Sequence, residues 1–127
     1  MADQNTEKIL ATDFCHGGQH DFQLFKESRT AISQHICALA DSGYQGLGTL
    51  HANSQTPVKK TKLHPLNKEQ KASNRTLSKV RILIENIVRK LKIFRILSER
   101  YRNRRRRFGL RFNLIAAIYN LELKIVD

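Results

Sequence analysis

Residues 36–46 read Ile-Cys-Ala-Leu-Ala-Asp-Ser-Gly-Tyr-Gln-Gly, a short apolar run that ends in a carboxylate and is followed by a glycine-rich turn. The run predicts a buried strand over residues 36–40, which delivers Asp41 to the carboxyl-terminal edge of a sheet. Binding and catalytic residues of open α/β sheets gather at that edge. This stretch therefore predicts both the class of fold and the first candidate functional residue.

The flanking segments predict further strands and helices. The predicted strands cover residues 8–14, 36–40 and 56–62, and the predicted helices begin near Asp21 and cover about 47–52, 67–98 and 108–123. Pro57 and the lysines of the third strand are typical of a sheet edge. This order predicts an α/β fold with a mixed sheet flanked by helices, in a single domain of residues 1–127. Three strands are few beside two terminal helices, which indicates that strands are missing from the N-terminal side.

Side-chain spacing predicts the ends and the buried faces of the helices. Asp21 is a candidate N-cap, and Asn67 with Gln70 resembles a capping box. Apolar residues spaced by three and four predict one buried stripe on the long helix, formed by Leu77, Val80, Ile84, Ile87, Leu91 and Phe94. The predicted inner face of the last helix consists of Leu110, Leu114, Ala117, Ile118 and Leu121.

The charge of the chain is unevenly distributed. Residues 1–57 carry three Lys/Arg and six Asp/Glu, whereas residues 58–127 carry twenty and five, a net charge of +15 in the second half. A concentrated positive field attracts a polyanion, and nucleic acid is favoured because no helix pairs a Lys-rich face with Trp or Phe anchors for a membrane. The candidate phosphate contacts are Arg102, Arg104, Arg105, Arg106 and Arg107.

Several other classes of protein do not fit the sequence. Its apolar runs are too short to span a bilayer, and the acidic start at Met1 does not resemble a secretory signal. Cys15 and Cys37 stand in unrelated contexts, which favours a reducing, cytoplasmic location over a disulfide framework. Cys15, His16 and His20 lack a second Cys/His pair at zinc-site spacing. A phosphate-binding glycine loop is absent from the sequence as well.

Two carboxylates are candidates for divalent-metal chemistry. Enzymes that cut phosphodiesters use carboxylates from separate elements to hold hard cations. Asp41 suits such a role at a strand end, although an Asp-Ser-Gly turn is also common without a function. Glu85 lies on the long helix with Arg81 before it and Lys92 after it, and this pattern also fits an ordinary ladder of helix ion pairs.

Three motifs resemble those of bacterial insertion-sequence transposases of the DDE superfamily. Residues 17–21, Gly-Gly-Gln-His-Asp, are similar to the family's Gly-x-x-His-Asp turn. Residues 39–46 are similar to the strand that bears its second catalytic Asp, and Arg81-x3-Glu85-x6-Lys92 to the core of its catalytic-Glu helix. The likeness continues through residues 67–71, 94–97 and 113–120 and covers nearly all of the chain.

This resemblance implies a fold, an activity and roles for the matching residues. It implies an RNase H-like fold, Mg²⁺ or Mn²⁺ as cofactor, and cleavage plus strand transfer of DNA at the terminal inverted repeats. Asp41 and Glu85 would then be catalytic metal ligands. Arg81 and Lys92 would position DNA or organise the acids.

The sequence also departs from the family pattern. Ser78 stands where the family often has Tyr, and Asp3 and Asp13 do not match the family's first catalytic Asp. We therefore expect the C-terminal portion of a catalytic domain, a partial RNase H-like fold that lacks its first strand, with poor solubility and no cleavage on its own. The alternatives are a non-catalytic basic DNA-binding protein, or the second polypeptide of a split or frameshifted transposase whose upstream partner provides the first Asp.

Overall fold

Helices and one small parallel sheet make up this chain in a computed structural model that describes residues 1–15, 17–99 and 105–126. The elements are α1 (Asp21–Ser28), β1 (Ala38–Leu39), a 3-10 turn (Ser42–Tyr44), α2 (Leu47–Leu50), β2 (Ser54–Gln55), α3 (Lys68–Leu91), α4 (Arg95–Ser98), a second 3-10 turn (Arg105–Arg107) and α5 (Phe108–Val126). Residue contacts divide the chain into a terminal unit, Met1–Phe14 with Ile82–Asp127, and a central unit, Cys15–Arg81. The α/β class predicted from the sequence is confirmed.

The sheet consists of two parallel strands in the central unit. Ala38 lies opposite Ser54 and Leu39 opposite Gln55. The N–H of Ala38 donates to the carbonyl of Asn53 at 2.9 Å, and that of Ala40 to the carbonyl of Gln55 at 3.0 Å. The strand predicted over residues 36–40 is thus present at its centre. The mixed sheet is not found, because the strands of the described residues pair only in parallel, and the RNase H-like topology stays a prediction.

The other two predicted strands, over residues 8–14 and 56–62, are wrong. Residues 8–14 contain only an isolated antiparallel bridge from Ile9 to Ala2. In the central unit, the N–H of Val58 donates to Oδ1 of Asn74, and Nδ2 of Asn74 donates to the carbonyl of Val58, both at 2.9 Å. Both backbone polar groups of Val58 are thus bonded to a helix side chain instead of a neighbouring strand.

The first helix begins one residue away from its predicted cap. The N-cap of α1 is His20, whose Nδ1 accepts from the N–H of Phe22 at 3.3 Å, whereas Asp21 is the first helical residue. The helix ends at Ser28, and Arg29 follows it in the left-handed conformation with φ of 50°. The short helix predicted over residues 47–52 is confirmed as α2.

The long helix α3 begins as predicted and ends early. Oδ1 of Asn67 accepts from the N–H of Gln70 at 2.7 Å, and Oε1 of Gln70 accepts from the N–H of Asn67 at 3.1 Å, which is a complete capping box. The helix stops at Leu91 instead of near Ser98, because the N–H groups of Ile93 and Phe94 bond three residues back and tighten the last turn. Neither Gly nor Pro marks this break in the sequence.

The core of the terminal unit joins α3 to α5. Ile87 and Leu91 of the predicted stripe pack with Ile115 and Tyr119. The predicted inner face of α5 is wrong: Leu114 is 61% exposed, whereas Ile115 is 5% exposed. The other residues of that predicted face, Leu110, Ala117, Ile118 and Leu121, are exposed as well. Because α5 is apolar on two faces, spacing by three and four fits both, and packing decides which one is buried.

Candidate functional site

Asp41 lies directly beyond the carboxyl-terminal end of β1, as the sequence predicts. Its Oδ1 accepts from the N–H of Gly43 at 2.8 Å and so caps the 3-10 turn Ser42–Tyr44. Its carbonyl accepts from the N–H of Tyr44 at 3.1 Å. An ionised carboxylate has about four lone-pair sites, so the bond to Gly43 leaves capacity for a cation or another donor. The side chain is exposed and at the same time held in one orientation.

Gly43 lies between the side chains of Asp41 and His20 and allows them to lie close together. A Cβ atom at position 43 would lie 3.0 Å from Oδ1 of Asp41 and 3.6 Å from Cε1 of His20. The first distance is tighter than nine in ten real Cβ contacts, so a larger residue would require the carboxylate to shift by a few tenths of an ångström. The glycine therefore brings the imidazole at the start of α1 close to the carboxylate at the end of β1.

Tyr44, in the 3-10 turn that Asp41 caps, packs against α1. Its ring meets the rings of Phe22 and Phe25 edge to face, with centroids 5.7 and 6.3 Å apart. Burial raises the pKa of the Tyr44 hydroxyl, and the carboxylates of Asp21 and Asp41 raise it further. Within the central unit, the turn containing His20 and Asp21 is thus close to Asp41. Sequence reasoning did not assign a site role to Tyr44, and its position directly after Asp-Ser-Gly was the available signal.

The second predicted carboxylate, Glu85, lies in the terminal unit on an exposed part of α3. Its neighbour Ile84 is 39% exposed, so this part of the helix surface is open to solvent. Lys92 follows the last residue of α3, is exposed, and bonds through its N–H to the carbonyl of Val88 at 3.0 Å. Asp41 belongs to the central unit, so a shared metal site for Asp41 and Glu85 stays a prediction.

Arg81 and Ser78 lie on α3 within the central unit. Arg81 is exposed, as a residue that positions DNA would be. The hydroxyl of Ser78, which stands at the family's Tyr position, donates to the carbonyl of Asn74 at 2.9 Å. Ser78 is thus bonded to its own helix backbone.

The predicted arginine cluster is described only in part. Arg106 and Arg107 are exposed in the 3-10 turn that precedes α5. Arg102, Arg104 and the side chain of Arg105 lie outside the described residues. Exposed guanidinium groups are suited to bidentate phosphate contacts.

Metal-donor side chains are sparse in each unit. Among residues 1–15, 17–99 and 105–126, no three His, Cys, Asp or Glu side chains lie together in a group that could hold a metal ion. Cys15 and Cys37 are both free thiols, and Cys37 is exposed just before β1 and not buried within a strand. In the described part of the chain, no helix is both long and apolar enough to cross a bilayer.

The family model described as the transposase DDE domain matches residues 1–121. The chain belongs to the transposase DDE-domain family. It is similar to a probable transposase for insertion sequence element IS702 from Microchaete diplosiphon, with 52% identity over 122 residues. That match covers 96% of this chain and 44% of the relative, so the chain spans less than half of that transposase. No solved structure matches the chain.

Transposases of this family act on DNA and generally use a divalent metal ion. Hard ions of this kind prefer several oxygen ligands. The described residues place Asp21 and Asp41 near Tyr44 but contain no group of three donors.

Proposed function

We propose that this chain is part of the catalytic domain of an insertion-sequence transposase and binds DNA at the element's terminal inverted repeats. The observation that carries the proposal is the exposed carboxylate of Asp41, held at the carboxyl-terminal end of β1 within the region that matches the transposase DDE domain. Enzymes with open α/β sheets bind their ligands at the carboxyl-terminal edge of the strands, and Asp41 is an acid fixed at that edge.

Asp41 and Glu85 are the proposed ligands for Mg²⁺ or Mn²⁺. Such an ion, when bound, stabilises the negative charge that develops as a phosphodiester is cut or transferred. Arg81 and Lys92 are proposed to position the DNA backbone or to organise the acids. Because neither Asp3 nor Asp13 matches the family's first catalytic Asp, we propose that the chain does not cut DNA on its own.

DNA binding is proposed to rest on the basic second half of the chain. Lys59, Lys60 and Lys62 are exposed in the segment between β2 and α3, and Arg106 and Arg107 are exposed before α5. Exposed cations release counterions from the DNA backbone, which makes binding strong at low salt and sensitive to added salt. Arg102, Arg104 and Arg105 are proposed to contribute in the same way.

The test combines DNA binding with a cleavage assay. Fluorescence anisotropy would compare duplexes that end in the inverted repeat of the element with duplexes of scrambled sequence, over a series of salt concentrations. Supercoiled plasmid incubated with Mg²⁺ or Mn²⁺ would report nicking, with Asp41→Ala as the control. We expect salt-sensitive binding that is tighter at repeat ends, and no nicking.

Other outcomes of these assays would contradict the proposed function or favour a different one. Nicking that Asp41→Ala abolishes would show that the chain is catalytically complete, whereas absence of binding at low salt would overturn the proposal. Equal binding to repeat and scrambled duplexes would favour the second candidate, a non-catalytic basic DNA-binding protein, which the net charge of +15 in residues 58–127 also favours. The comparisons provide no support for a separate upstream polypeptide, so the proposal does not include one.

A further inference from the structure

A cavity of ≈ 330 Å³ lies in the central unit beside the C-terminal end of α1. Two cationic side chains, Lys26 and Arg29, line it together with the hydroxyl-bearing Thr30 and the buried imidazole of His51. The rest of the lining is apolar and includes Phe25, Ile32 and Leu50. Asp41 is not among the lining residues, so the cavity is a separate feature of this unit.

The cations of this cavity are unusual for the half of the chain in which they lie. Residues 1–57 have a net charge of −3 and contain only three Lys/Arg residues, namely Lys8, Lys26 and Arg29. Two of these three line one cavity. Because they are three residues apart at the end of α1, both lie on the same side of the helix, and together they can bind an anionic ligand.

Neither cation is neutralised by a neighbouring acid. Among the ion pairs of the described residues, none includes Lys26 or Arg29. The adjacent acid on α1, Glu27, accepts hydrogen bonds from the side chains of Gln19 and Gln23 at 2.7 and 2.9 Å. Nζ of Lys26 lies 4.4 Å from the ring centroid of Phe22, a contact that leaves its charge without a counter-ion.

The backbone at Arg29 bears on the choice of a variant that removes this side chain. Arg29 is the C-cap of α1, with φ of 50° and ψ of 30°, a conformation that usually belongs to Gly or Asn at the end of a helix. An arginine there carries backbone strain that glycine would avoid. Glu7 has a similar backbone with φ of 57°, so the conformation of Arg29 explains its place at the helix end and does not by itself indicate a ligand.

We propose that this cavity binds one phosphate group of a DNA strand, with Lys26 and Arg29 as the binding cations. This inference rests on the proposed DNA-binding function. A guanidinium group and an ammonium group together suit a phosphodiester, because its oxygens accept several charge-assisted hydrogen bonds. Both cations are exposed, so a DNA strand can reach them.

The test measures how steeply DNA affinity falls with salt in four purified proteins. They are the wild type, the double variant Lys26→Ala/Arg29→Gly, the charge-conserving variant Lys26→Arg/Arg29→Lys, and Lys8→Ala as the matched control. Arg29→Gly removes the side chain and relieves the left-handed backbone, so it keeps the fold, which thermal unfolding would verify. Loss of one neutralised phosphate lowers the slope of log K against log salt concentration by about 0.9.

We expect the slope of log K against log salt concentration to fall by about 0.9 in the double variant. The slope should stay close to that of the wild type in the charge-conserving variant and should not change in Lys8→Ala. A wild-type slope in the double variant would overturn the inference. An equal loss in Lys8→Ala would overturn it too, because net charge alone would then explain the effect.

Inorganic phosphate at constant ionic strength distinguishes the two sources of the ligand. If phosphate raises the unfolding temperature of the wild type and not of the double variant, while the DNA slopes of the two are equal, the cavity binds free phosphate and the DNA assignment is wrong. Failure of the proposed function looks different, because the wild type would then bind no DNA at any salt concentration.

Discussion

The side-chain amide of Asn120 on α5 binds both backbone polar groups of Ile9. Oδ1 of Asn120 accepts from the N–H of Ile9, and Nδ2 of Asn120 donates to the carbonyl of Ile9, each at 2.8 Å. The two residues are 111 positions apart, and the contact is partly buried. The amide thus takes the place of a neighbouring strand and fixes the N-terminal segment to the last helix.

Removal of this amide should destabilise the terminal unit. Asn120→Ala leaves two partly buried backbone groups without their partner, so we expect a loss of about 1–3 kcal/mol in the free energy of unfolding. Urea denaturation would measure it. Asn113→Ala is the control, because Asn113 is exposed and its bond to the hydroxyl of Thr12 can be replaced by water. Equal losses in the two variants would contradict this role for Asn120.

Neighbouring residues of α5 should differ sharply in their contribution to stability. Ile115→Ala opens a cavity in the core and should lower the free energy of unfolding by about 2–5 kcal/mol. Leu114→Ala removes a side chain that is 61% exposed and should change it by less than about 0.5 kcal/mol. Thermal and urea unfolding would compare the two. A larger effect at Leu114 would mean that α5 buries the face predicted from the sequence.

Tyr119→Phe should stabilise the protein. The Tyr119 hydroxyl is buried and has no hydrogen-bond partner within the part of the chain that the structure describes. Replacing it removes an unsatisfied polar group, so we expect a gain of about 1 kcal/mol in the free energy of unfolding near neutral pH. A loss of stability in the variant would contradict the burial of an unpaired hydroxyl.

Tyr119→Phe should also change how the free energy of unfolding depends on pH in the alkaline range. Burial, and then the charge of Glu7, raises the pKa of Tyr119 above its ordinary value of 10.0. The folded state therefore favours the protonated phenol of Tyr119. The stability that this preference contributes is present below pH 10.0 and is lost as the pH rises through the raised pKa. Urea unfolding across this range should show a smaller alkaline loss in Tyr119→Phe than in the wild type.

Gly43→Ala should disturb Asp41 without a change in backbone conformation. The added Cβ would lie 3.0 Å from Oδ1 of Asp41, so the carboxylate must shift by a few tenths of an ångström. We expect its bond to the N–H of Gly43 to weaken and stability to fall by up to about 1 kcal/mol. Gly48→Ala is the matched control, because its Cβ would meet Oγ of Ser54 at an ordinary 3.8 Å. Unfolding curves that coincide for the two variants would contradict a tight contact at Asp41.

Local chemistry made part of this structure predictable. The Asn67 and Gln70 capping box, the helix after Gly46 and the strand before Asp41 all depend on neighbours within a few residues, so the sequence alone indicates them. The same holds for the placement of Asp41 at a strand end. The predicted strand at residues 8–14 failed because its backbone partner, Asn120, is far away in sequence.

The sequence by itself determined the helix starts, the charge asymmetry and the family motifs, because each depends on residue type and short spacing. Only the tertiary structure decided which face of α5 is buried, and that His20 lies close to Asp41. It also decided that Lys26 and Arg29 share a cavity. These relationships depend on how separate segments pack. The type of an apolar or charged residue does not indicate which distant residue its side chain will contact.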